Sequence, residues 1–117
     1  MIEQIAYDAL KNLAGGQVFP DVAPSGTLPP YITYQAVAGA PMSYQDRTAP
    51  SIENIRLQVN VWHSTRMGAS DLARVVEDTM RAATTMQADP VTGRDATYDD
   101  ETKYAGTRQD FSVWINR

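Results

Sequence analysis

The chain has 117 residues, 43% of them hydrophobic and 21% charged, with a net charge of −4: a globular composition, not a disordered one. The absence of cysteine excludes disulfides, thiolate metal sites and cysteine nucleophiles together. No apolar run approaches the roughly 20 residues needed to span a bilayer, so no membrane partner is expected.

The length suits one domain, 1–117, able to bury about 65% of the surface its unfolded chain exposes. The first residues, Glu3 and Asp8 among them, do not make a secretion signal, and the expectation is a soluble protein made in the cytoplasm. Ile2 to Leu13 places Ile2, Ile5, Ala6, Ala9, Leu10 and Leu13 at helical spacing, with Gly15-Gly16 as its stop. Gln17 to Pro30 is dense in proline and glycine and reads as a rigid extended connector, within which Val18-Phe19 could pair briefly.

Tyr31 to Val37 reads as a strand with Ile32, Tyr34 and Ala36 on one face, and Met42 to Ser51 as a polar loop containing Tyr44, Asp46 and Arg47. The strongest pattern is Glu53 to Trp62. Ile55, Leu57, Val59 and Val61 alternate with Arg56, Gln58 and Asn60, the period of two that belongs to a strand with one face in a core. This strand should return antiparallel to Tyr31–Val37, across a connection longer than hairpins usually have.

Ser64 is the predicted cap of a second helix, Arg66 to about Met86, with Leu72, Val76, Thr79, Met80 and Ala83 inward and Arg74, Glu77, Asp78 and Arg81 turned to solvent. Gln87 to Ala105 is a polar excursion with a possible hairpin around Ala96–Tyr98, before a final strand from about Thr107 to Asn116. There Phe111, Val113 and Ile115 alternate with Ser112 and Trp114. Helix, strand, strand, helix, strand predicts an α+β fold: a mainly antiparallel sheet of about three to five strands with two helices packed on one face.

The uncovered face would show Arg56, Gln58, Asn60, Trp62, Ser112 and Trp114. A polar row ended by two tryptophans reads either as a subunit interface or as two rings capping the edge of the core. Asp89, Asp95, Asp99, Asp100 and Glu101 stand against Arg94 alone, so this one segment holds the chain's whole net charge. It reads as a solvated loop, or as a surface that faces a basic partner or repels a passing polyanion. A basic footprint for nucleic acid is missing.

The single histidine, His63, has no Ser/Asp pattern and no second histidine, which gives it a structural or surface role. The acidic segment lacks the spacing and glycine of a calcium loop, and no phosphate-cradling glycine motif is present. Met67, Met80 and Met86 fall at helical positions as core filler. No catalytic, cofactor-binding or metal-ligating residue is expected, and the chain is not expected to be an enzyme.

Taken whole, the chain resembles the small tail-terminator, or tail-completion, proteins of tailed bacteriophages and prophages. The residues that carry the likeness are an opening Ile2-Glu3 helix, Gly16-Gln17-Val18-Phe19-Pro20 with Ala23-Pro24 and Gly26, and Pro30-Tyr31-Ile32-Thr33-Tyr34-Gln35. They continue through Arg56-Leu57-Gln58-Val59-Asn60-Val61-Trp62, a helix near Arg66, and Asp110-Phe111-Ser112-Val113-Trp114. The joint order over nearly the whole length carries the likeness, since no single motif is specific.

The resemblance implies a homo-oligomer, typically a hexameric ring, in the virion at the head-proximal end of the tail, after assembly in the host cytoplasm. Its partners would be the tail tube protein and a head completion or connector protein, with double-stranded DNA passing through and no sequence-specific binding. The interface candidates are Tyr44, Asp46, Arg47, Arg56, Gln58, Asn60, Trp62 and Trp114; Asp95, Asp99, Asp100 and Glu101 are candidates for the lumen or a partner-facing surface. A head-side connector or stopper ring, and a small non-viral binding module, are the competing readings.

Overall fold

The computed structural model describes residues 2–37 and 52–116. In chain order they form α1 (Ile2–Leu10), β1 (Val18–Pro20), β2 (Tyr31–Val37), β3 (Ile52–His63), α2 (Arg66–Ala82), β4 (Asp89–Pro90), β5 (Asp95–Tyr98) and β6 (Ala105–Asn116). The sheet has six strands in the order β1-β2-β3-β6-β4, with β5 also on β6. All pairs are antiparallel except β1 with β2. This is the expected α+β architecture, wider than three to five strands: β1 and β5 form where Val18-Phe19 and Ala96–Tyr98 are expected to pair, and β4, with two residues, is too short to show a pattern.

The frame is the β3–β6 ladder, paired from Ile52↔Asn116 to His63↔Ala105. Leu57, Val59 and Val61 on β3, Phe111, Val113 and Ile115 on β6, and Ile32 and Tyr34 on β2 all point to one side and are buried there. α1 contributes Ile2, Ala6 and Leu10, and α2 contributes Ala73, Val76 and Met80, to that same core. Truncating a ring as enclosed as Phe111 to alanine costs about 3–5 kcal/mol, so this layer holds most of the fold's stability. Tyr34 joins the layers directly, its hydroxyl donating to the Glu3 carbonyl of α1 at 3.2 Å. Burial first, and then the nearby Glu3 carboxylate, push its phenol above the ordinary value of 10.0.

Several expected boundaries move, each for a local reason. α1 stops at Leu10 and not at Leu13, because the chain turns through a short 3-10 turn, Ala14–Gly16, with Gly15 at φ 62°. α2 is capped by Thr65 and not by Ser64: the Thr65 hydroxyl accepts from the Gly68 amide at 3.0 Å. It ends at Ala82, short of Met86, whose carbonyl is used to accept the Trp114 amide on the edge of β6 at 2.8 Å.

Met80 and Met86 are fully enclosed core residues, but Met67 is 78% exposed on the first turn of α2. Ala36 shares the face of Ile32 and Tyr34 but is exposed near the end of β2. Glu77, expected in solvent, is half-buried against β6. Among the described residues, no helix is long and apolar enough to cross a membrane.

Candidate interaction surface

The register of β2, β3 and β6 fixes which side chains share the side away from the helices. Trp62 lies between Tyr31 and Gly106, Asn60 between Thr33 and Arg108, Gln58 between Gln35 and Asp110, and Arg56 between Val37 and Ser112. Asn54 faces Trp114 at the far end. Arg56, Gln58, Asn60, Trp62 and Trp114 therefore do share one face, all half-buried. From Gly106 to Trp114 the two aromatic ends stand about 27 Å apart along β6. Tyr44, Asp46 and Arg47 lie outside the described residues.

Polar side chains on this face bond to one another before any partner arrives. Arg56 reaches diagonally to Asp110, its Nε and Nη2 both 2.7 Å from the same carboxylate oxygen. Asn54 donates to the Ser112 hydroxyl at 2.8 Å and to the Val113 carbonyl at 3.2 Å. Asp110 is the residue that the sequence did not single out; only the register reveals it as the partner of Arg56.

At one end, Trp62 lies over Gly106, where a Cβ would come within 2.7 Å of two ring carbons. That close approach explains the glycine near the start of β6. Arg66 of α2 donates to the carbonyls of Gly106 (2.6 Å) and Thr97, tying the start of the helix to β5 and β6. His63 packs its ring over Gly68, the structural role foreseen for it. At the other end Trp114 borders a pocket of about 480 Å³ with Ile5, Ile52 and Ile115, where α1 meets the end of the sheet.

The 21–30 connector folds back over the Trp62 end and buries Thr33 there. It is held by its own bonds: the Gln17 side chain donates to the carbonyls of Leu28 and Pro30, both at 2.9 Å, and Asp21 donates its amide to Tyr34 at 2.8 Å. Across from it stands the turn after β5, closed by Asp99 accepting from the Glu101 amide at 2.9 Å and by Lys103 donating to the Asp99 carbonyl. Tyr104 meets Tyr31 edge-on at 6.4 Å. Burial, and next the Asp99 carboxylate, raise the Tyr31 phenol above its ordinary value.

The acidic segment is thus not one loop. Asp89 sits in β4, Asp95 in β5 beside Arg108, and Asp99, Asp100 and Glu101 make a tight turn whose last two members are exposed. On the opposite, helical side, Glu77 accepts from Gln109 at 2.7 Å, with Arg81 and Arg94 close by. The Gln109 bond, then the two arginines, hold its carboxyl below the ordinary 4.5. Among the described residues no cluster of three His, Cys, Asp or Glu could hold a metal ion. What this surface offers is a broad polar face with aromatic ends, suited to contact with another protein.

The family described as Tail completion protein gp17 matches residues 5–116, from α1 to the last residue of β6. The chain belongs to that family. As a tail completion protein it is a structural component of a bacteriophage tail, and its place is the virion. The family is not an enzyme class. No curated protein matches the chain. For a tail completion protein, the uncovered sheet face is the surface to weigh for contacts with other phage structural proteins.

Proposed function

We propose that this tail completion protein, folded as a single domain, assembles into a hexameric ring on the head-proximal end of the tail tube. The ring ends tube polymerisation and presents the surface to which the filled head docks. Double-stranded DNA passes through it without sequence-specific binding. The observation that supports this most is the family match over residues 5–116.

Two features of the fold agree with it. A head-to-tail ring needs two different complementary patches on each subunit, and the chain offers a helical side and an uncovered sheet face with distinct chemistry. A passage for DNA is best left without a cationic lining, and the exposed turn Asp99–Glu101 is suited to such a lumen or to a basic partner. In this reading Gln58, Asn60, Trp62 and Trp114 contribute to subunit or tube contacts, and Tyr44, Asp46 and Arg47 are further candidates for them. Arg56 contributes through its pairing with Asp110.

The deciding experiment is electron microscopy of a lysate in which this gene alone is disrupted. DNA-filled heads beside unattached tails, some of aberrant length, are the expected result, and normal virions would overturn the proposal. Purified protein that bound heads but not tail tubes would replace it with a head-side connector.

A further inference from the structure

At the Trp62 end of the uncovered face, the connector and the turn after β5 stand as two walls of a groove of about 580 Å³, the size range of ligand-binding clefts. Its floor is Trp62 and Tyr31, and Tyr104 closes one side. Two apolar residues of the connector, Val22 and Leu28, line it while 77% and 70% exposed. Each wall carries a carboxylate, Asp21 on one and Asp99 on the other, with Asp100 and Glu101 following in the turn.

These features do not serve the fold. Val22 and Leu28 bury almost nothing, although the bonds from Gln17, Thr27 and Asp21 hold their loop in one shape. A rigid loop that presents apolar side chains to water across from tyrosine and tryptophan rings is a preformed site, because the ordering entropy has already been paid. Rings that line an open groove dock extended polypeptide, and carboxylates on both rims select for cations above those rings.

We propose that this groove is a docking site for an extended segment of another protein, one that carries lysine or arginine between apolar residues. A polyanion is repelled by Asp21 and Asp99. A second copy of this chain is itself acidic, with a net charge of −4, and brings no surplus of cations to the rim. The site refines the proposed tail role, because it names the chemistry that a tube or head partner must show at this end of the face.

The test uses Trp62 as its own reporter. The chain has two tryptophans, so Trp114→Phe leaves Trp62 as the sole emitter. The full-length variant is titrated with a blocked hexapeptide, Val-Pro-Leu-Arg-Val-Lys, and with the same peptide carrying glutamate in place of arginine and lysine. A saturable shift with the basic peptide alone is expected, weakened roughly fivefold by Asp21→Asn with Asp99→Asn, the scale of two partly exposed ion pairs. Raising salt from about 50 mM to about 500 mM should weaken it as well.

Val22→Ser with Leu28→Ser, two exposed positions that leave the fold intact, should abolish the shift. Calorimetry on the unmodified protein gives the same reading if Trp114→Phe disturbs folding. Equal binding of both peptides, no saturable change, or an emission shift that follows protein concentration alone would overturn the proposal; the last would make the occupant a second copy. None of these outcomes depends on whether disrupted phage form tails, so the groove and the tail role fail separately.

Discussion

Arg56 and Asp110 are joined across the diagonal of the β3–β6 ladder, with two guanidinium nitrogens on one carboxylate oxygen. Asp110 keeps only 12% of its side chain exposed, whereas Arg56 keeps 41%. The asymmetry makes the aspartate the member that needs its partner.

Removing Arg56 should therefore cost more than a surface ion pair usually does. Arg56→Leu leaves the Asp110 carboxylate covered and without its cation, for an expected loss of about 1–2 kcal/mol in urea unfolding, discounted for the exposure of the arginine. Adding Asp110→Asn should return part of that loss. Single and double variants that differ additively would show that the pair is not coupled.

Gly106 tests the seat of Trp62. Gly106→Ala places a methyl against the indole and the Thr97 hydroxyl, so the ring must lift or β5 must part from β6. We expect a loss of about 1–3 kcal/mol with a red shift of tryptophan emission. Emission and melting temperature like those of the unaltered protein would place the ring elsewhere.

Two adjacent hydroxyls at the start of α2 allow a clean comparison. Thr65→Ala should destabilise by about 0.5–2 kcal/mol, since it deprives the Gly68 amide of its acceptor. Ser64→Ala should be close to neutral. The reverse order in thermal unfolding would return the cap to Ser64.

Glu77 couples stability to acid. Its folded carboxyl titrates below the ordinary 4.5, chiefly through the Gln109 bond and then Arg94 and Arg81. The stability it contributes is thus complete above about pH 4.5 and is lost as pH falls through the lower folded value. Glu77→Gln should flatten this part of the stability profile, and Gln109→Ala should shrink it while costing about 1 kcal/mol at neutral pH. An unaltered acid slope in both variants would remove Glu77 from the explanation.

Charge reversal of the turn bears on assembly. Asp99→Lys with Asp100→Lys and Glu101→Lys should lower infectious titre by roughly tenfold or more, through a wrong-signed contact or through DNA held in transit. Wild-type titres would sink any role for this turn in the lumen or against a partner.

The long strands were legible because alternation over eight or more residues admits one face assignment: Leu57, Val59, Val61, Phe111, Val113 and Ile115 all went where their parity sends them. β1, β4 and β5 have two to four residues, too few for a period to show, and they exist because β2 and β6 had edges to fill. The Arg56–Asp110 pair depends on register, which parity leaves open by any even shift. Met67 looked like core by composition, yet it falls on the outer side of the first helical turn. The groove was out of reach because its walls, near Asp21 and Asp99, are far apart in the chain and meet only after the sheet has formed.

Among the described residues, the sheet is bordered by β1 with three residues, β4 with two and β5 with four. β1 ends at Pro20, and β6 completes its outer side with single bonds from Val91 to Asp110 and from Trp114 to Met86. Such ragged borders give a stray strand little to align with, which guards against runaway stacking of copies edge on edge. A component of a phage tail is thereby built so that it does not seed a fibre of its own.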